Sequence, residues 1–116
     1  MTRIFCDGSK MDSGTGCAIW FPKNKFSKMI RLSINTSIYK AEEYAILQSL
    51  DIIKSLGDKN YIICSDSKST LKAIECFNKG NYTPSLIPEI ISNLEILSRS
   101  KILVNFLWIP GHWNLG

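Results

Sequence analysis

Close cysteine pairs are missing from these 116 residues. Cys6, Cys17, Cys64 and Cys76 show none of the spacings that a zinc site or a redox disulfide requires, and they are expected to act as buried small hydrophobes. No apolar run reaches the roughly 20 residues of a membrane-spanning helix. The opening Met1-Thr2-Arg3-Ile4 carries no apolar leader and small-residue cleavage site, so an intracellular protein of nucleus or cytoplasm is expected, not a secreted one. There is no glycine-rich phosphate loop entering a helix, which argues against a small α/β domain that binds a phosphate ligand at its strand-end loops. Repeats, linkers and low-complexity stretches are absent. What is there is 45% hydrophobic and 21% charged, with mean hydropathy near zero, a composition that suits one globular domain over residues 1–116. The net charge of +4 is compatible with a polyanionic partner without requiring one.

Apolar runs of different kinds follow one another along the chain. Arg3-Ile4-Phe5-Cys6-Asp7-Gly8-Ser9 reads as a short buried strand that carries a carboxylate to its own end, followed by Asp-Gly-Ser turn chemistry; a plain hairpin end explains the same residues taken alone. A polar connection from Lys10 to Gly16 leads to a second strand, Cys17 to Phe21, stopped by Pro22. A more alternating third strand spans Phe26 to Ile34. Connections this short favour antiparallel neighbours and hence a three-stranded meander. Asn35-Thr36-Ser37 supplies helix-capping groups, and helical periodicity then runs from Ile38 to Leu56, where Gly57 ends it. Tyr61 to Ser65 is a strand apolar on both faces that ends in Asp66, and a helix through Leu71, Ile74 and Phe77 follows to Asn78. Thr83-Pro84-Ser85 and Pro88 open a further helix with Ile87, Ile90, Ile91, Leu94 and Leu97 on its apolar face. The last strand, Ile102 to Ile109, is also apolar on both faces and is broken by Pro110-Gly111. This order predicts an α/β protein with a five-stranded mixed sheet, three antiparallel strands and then two parallel ones.

Two adjacent glutamates on the first helix separate by angle. At about 100° per residue, Ile38, Ala41, Ala45, Ser49, Ile52, Ile53 and Leu56 share a stripe, from which Glu42 lies roughly 40° away and Glu43 about 140°. Glu43 is therefore expected in solvent and Glu42 against the packed face, where a carboxylate requires a partner or a cation; a helix-dipole interaction is the simpler alternative. Asp66 or Ser67 can equally be the cap of the following helix. If the first and fourth strands are parallel neighbours, Asp7 and Asp66 leave the sheet at the same end, where the ligand sites of open α/β sheets gather. Three converging carboxylates repel one another, and a divalent cation resolves that repulsion. All-oxygen ligands favour Mg²⁺ or Mn²⁺ over zinc.

The blocks Cys6-Asp7-Gly8-Ser9, Gly16-Cys17-Ala18-Ile19, Tyr39-Lys40-Ala41-Glu42-Glu43-Tyr44-Ala45-Ile46, Cys64-Ser65-Asp66-Ser67 with Leu71-Lys72-Ala73-Ile74, and Leu107-Trp108-Ile109-Pro110-Gly111-His112 span nearly the whole chain. Together they resemble the type 1 ribonucleases H, most closely the ribonuclease H domains of non-LTR retrotransposon polyproteins. The resemblance implies a ribonuclease H-like fold and hydrolysis of the RNA strand of RNA·DNA hybrids, giving 5′-phosphate and 3′-hydroxyl products. It implies that Asp7, Glu42 and Asp66 hold two Mg²⁺ ions, with Mn²⁺ as a possible substitute, about 3.5–4 Å apart. His112 matches a loop histidine thought to shuttle a proton or assist product release, for which imidazole is suited near neutral pH. Gly8 and Ser9 are expected near the RNA backbone, and Lys10, Lys40 and Lys68 near phosphates. A reverse transcriptase on the same polyprotein is the implied partner.

The family pattern continues past the histidine loop to a fourth carboxylate on a final helix, and this sequence stops at Gly116. That departure raises the expectation of a truncated domain with the final helix missing. It also raises a rival reading, a remnant that folds and binds hybrid without cleaving it. The missing helix would leave one apolar sheet face open.

Overall fold

The computed structural model describes residues 1–78 and 85–110. Its first element, β1 (Thr2–Met11), forms a hairpin with β2 (Gly14–Phe21), and β3 (Phe26–Leu32) extends the meander. After helix α1 (Ile38–Ile53) the chain enters β4 (Asn60–Ser65), then α2 (Lys68–Glu75), α3 (Ile87–Arg99) and β5 (Leu103–Trp108). The strands lie in the order β3-β2-β1-β4-β5, with β4 parallel to both β1 and β5. This is the five-stranded mixed sheet expected from the order of apolar runs.

Strand β1 is longer than its turn-like residues suggest. Asp7, Gly8 and Ser9 do not turn; they stay paired with Ala18, Cys17 and Gly16, and Lys10 and Met11 pair with Thr15 and Gly14, so the expected polar connection is mostly strand. The turn falls instead at Asp12-Ser13, and Gly14 leaves it at φ 140°, a conformation open to glycine and strained for other residues. Asp7 thus sits in mid-strand, at the point where β1 leaves β4: their pairing ends at Cys6 with Ser65.

Helix α1 begins at Ser37, whose hydroxyl accepts the Lys40 N–H at 3.1 Å, and it ends at Ile53, short of the expected Leu56. Ala41, Ala45, Ile46, Ser49, Leu50 and Ile53 are buried. The buried arc is about 200° wide at 100° per residue, because α1 packs on β1 and β2 on one side and on α3 on the other. Ile4, Ile19, Phe21, Tyr61 and Ile63 from the sheet join Ile46, Leu50, Ile74, Ile90 and Leu97 from the helices in one core. Side chains alternate across a strand, so Arg3, Phe5, Trp20, Ile62, Leu103 and Leu107 fall on the opposite face. Leu103, Leu107 and Trp20 are exposed there among the described residues. Cys76 corrects another expectation: Cys6, Cys17 and Cys64 are buried, but Cys76 follows the last turn of α2 and is exposed.

Candidate metal centre

Parallel pairing of β1 with β4 ends at Cys6 and Ser65, so the residues that follow, Asp7 still within β1 and Asp66 just past β4, come side by side. Helix α1 supplies the third carboxylate from its second turn. One oxygen from each of Asp7, Glu42 and Asp66 lies within 4.8 Å of the others, so the structure brings together the three residues chosen from the sequence.

Gly8 is what lets α1 come this close. A Cβ at Gly8 would stand 2.9 Å from the Glu42 amide nitrogen, 3.0 Å from Glu42 Oε1 and 3.1 Å from the carbonyl carbon of Ala41. Instead the Gly8 N–H donates to Glu42 Oε1 at 3.0 Å. Glu42 is only 6% exposed, and its second oxygen, Oε2, is buried without a hydrogen-bond partner. Behind the carboxylates, Cys6 Sγ and Ser49 Oγ are 3.0 Å apart, and the Ser49 hydroxyl donates to the Ala45 carbonyl.

The electrostatics follow from this packing. Burial, partly offset by the Gly8 amide and reinforced by Asp66 and Asp7, pushes the Glu42 carboxyl up to about 7. Asp7 is also raised, by burial and by the charge of Asp66. Burial pushes the Cys6 thiol up to about 12, which keeps it a neutral packing group. Among the described residues no lysine or arginine is ion-paired to the three carboxylates; Asp58 and Asp51 have lysine partners elsewhere. Three mutually repelling carboxylates with an orphaned buried oxygen fit a divalent cation, and the all-oxygen donor set suits Mg²⁺ or Mn²⁺.

Glu43 overturns its solvent expectation. It is 9% exposed, and its Oε1 accepts the Leu86 N–H at 3.0 Å, so it serves the N-terminus of α3, where a carboxylate meets the unpaired amides and the positive end of the helix dipole. The angle drawn from one apolar stripe could not anticipate a second helix on that flank. Neither Asp66 nor Ser67 caps α2 in the expected way: Ser67 precedes the helix, but its hydroxyl meets Thr70 Oγ1 at 2.7 Å and no backbone amide. Gly8 and Ser9 adjoin the cluster on β1, and Lys10, Lys40 and Lys68 are exposed. His112 lies outside the described residues.

Trp108 is a neighbour that the sequence motif did not single out as functional. Its indole N–H donates to the Asp66 carbonyl at 3.2 Å, and the Lys68 ammonium lies 5.2 Å from its ring centroid. The proximity of the Trp-Ile-Pro-Gly-His block to the site was the available signal.

Comparison with known proteins adds to this geometry. No curated protein matches the chain. Among solved structures, the crystal structure of LC11-RNase H1 in complex with RNA/DNA hybrid matches at TM-score 0.71 and 16% identity, covering 99% of this chain and 89% of that one. A family model described as RNase H matches residues 1–116.

Proposed function

The chain belongs to the RNase H family, and on that premise we propose that it is a divalent-metal-dependent endonuclease acting on the RNA strand of RNA·DNA hybrids. The observation that carries the reading is the convergence of Asp7, Glu42 and Asp66, with Glu42 Oε2 buried and unpartnered. Divalent cations held by these three would activate water and stabilise the charge that develops on the phosphate. The Gly8 amide holds Glu42 Oε1, and Oε2, buried and without a partner, would be the oxygen left to ligate a cation. The Trp108 indole fixes the backbone at Asp66, and the hydrogen-bonded Cys6 and Ser49 fill the space behind β1, so the ligands rest on packed elements.

The relative solved with an RNA/DNA hybrid supports the substrate class. Hybrid recognition rests on minor-groove shape and 2′-hydroxyl contacts, and Ser9, Lys10 and Lys40 lie on the strand and helix that carry Asp7 and Glu42. His112 is the proposed proton shuttle for a 5′-phosphate product. The motif blocks favour an origin in a retrotransposon polyprotein beside a reverse transcriptase. Four free cysteines suit a reducing, intracellular compartment.

Cleavage of a labelled RNA·DNA hybrid, with duplex RNA and duplex DNA as controls, tests the reading. Cleavage of the hybrid alone, in Mg²⁺ and not in EDTA, is the expected result. Hybrid binding without cleavage would identify a non-catalytic remnant, and loss of both would overturn the assignment.

A further inference from the structure

Joined to Asp66 through Trp108, a cleft of about 570 Å³ opens between α2 and the edge strand β5. Leu71 and Phe106 give it an apolar lining, Lys68, Lys72 and Glu75 reach it from α2, and Trp108 comes from the end of β5. Lys68 and Lys72 are one helical turn apart and share a face. Both are exposed, and neither has an ion-pair partner among the described residues. Trp108 remains 44% exposed although its indole N–H is tied to the Asp66 carbonyl. That tie orients the ring without covering it. The Lys68 ammonium lies over the ring, 5.2 Å from its centroid, so a base that stacks there takes its place and leaves Lys68 to the phosphate. A part-exposed indole with two lysines over apolar side chains is the chemistry that binds nucleic acid by stacking, with phosphates on the cations.

The paired bases of a hybrid already stack on their neighbours. A base that has lost its partner gains most from an indole and an apolar cleft, as in single-strand recognition. The volume is that of a small-ligand pocket, enough for one nucleotide. Glu75 repels a phosphate at its end of α2, so the backbone is confined to the end nearer Asp66.

We propose that this cleft is a subsite for an unpaired nucleotide flanking the hybrid, its base stacked on Trp108 and its phosphates on Lys68 and Lys72. The proposal rests on the hybrid-nuclease reading and deepens it: the preferred substrate is a hybrid that passes into single strand, and the nucleotide at that junction sits next to Asp66.

The test is anisotropy of labelled nucleic acids with the full chain in EDTA, where cleavage is suppressed. A blunt hybrid is compared with the same hybrid carrying a short unpaired extension on either strand. One extension should tighten binding about tenfold, the scale of a single stacked base. Trp108→Ala should abolish that increment, Trp108→Phe should keep part of it, and Lys72→Glu should reduce it. Lys72 is exposed, so its variant gives an answer even if Trp108→Ala does not fold. Equal affinity for blunt and extended hybrids, or an increment untouched by Lys72→Glu, would overturn the proposal. If neither hybrid binds, the hybrid reading itself fails. An unpaired oligonucleotide then decides the cleft: binding that Lys72→Glu weakens supports it, and no binding removes it.

Discussion

Glu42 and Glu43 are consecutive carboxylates with different tasks. Glu42 has one oxygen on the Gly8 amide and one without a partner, whereas Glu43 accepts from Leu86, the residue that precedes α3. Asp7→Asn, Asp66→Asn or Glu42→Gln should each abolish Mg²⁺-dependent cleavage of the hybrid while leaving the circular dichroism spectrum unchanged; retained cleavage would remove the residue from the metal site. Glu43→Ala should behave in the opposite way. It leaves the Leu86 amide without its charged acceptor, so the urea midpoint should drop by an amount equivalent to about 2 kcal/mol while Mg²⁺ binding persists. The Glu42 carboxyl also sets a pH dependence. Its ordinary value is 4.5 and its folded value about 7, so the stability it contributes is full below 4.5, is lost as the pH rises to about 7, and is level above. The loss amounts to roughly 3 kcal/mol, from 1.36 kcal/mol for each pKa unit. Melting temperature without metal should therefore fall between about pH 4.5 and about pH 7, with the slope much reduced in Glu42→Gln. Mg²⁺ binds the ionised carboxylates, so it should raise the melting temperature more at the alkaline end; a flat metal-free profile would contradict the burial assigned to Glu42.

At the scale of elements, the site is the contact of α1 with β1. Ala41 and Ala45 have no exposed surface, and Gly8 meets the backbone at Ala41 and Glu42 across a gap that has no room for a methyl group. Small residues on both elements set the distance at which Glu42 reaches Asp7. Gly8→Ala should push α1 outward, costing about 2 kcal/mol through overpacking and weakening Mg²⁺ binding measured by calorimetry. Unchanged Mg²⁺ affinity would mean that the helix position does not govern the site. The smallness of Ala41 and Ala45 was legible in the sequence, as was the helix that carries them. Glu43 was misjudged because helical angle reports faces relative to one stripe, and α3 joins α1 from 43 residues further along the chain.

The whole molecule is a sheet covered on one face by the described helices. Across the other face, strand pairing sets Trp20, Phe5, Cys64 and Leu107 in one lateral row. Leu103 and Leu107 are 56% and 47% exposed, and β5 is an edge strand. Apolar surface beside an unpaired strand edge promotes association. Leu103→Lys combined with Leu107→Lys should lower the sedimentation-derived mass at high concentration and raise solubility with little change in melting temperature. If the wild type is monodisperse at all concentrations, the face is not a liability.

The sequence alone determined the order and type of the elements, because alternation, helical periodicity and capping residues are local properties that short stretches carry by themselves. It also pointed to Asp7, Glu42 and Asp66, although Asp7, read as a strand end, lies in mid-strand where β1 parts from β4. Tertiary structure decided what depends on distance between remote parts. Gly8 became a point of close approach instead of a turn because β2 continues to pair with it. Glu43 became a cap for α3, and Trp108 a partner of Asp66, because packing joins segments about 40 residues apart. Such pairings follow from three-dimensional proximity, and no local pattern in the chain encodes them.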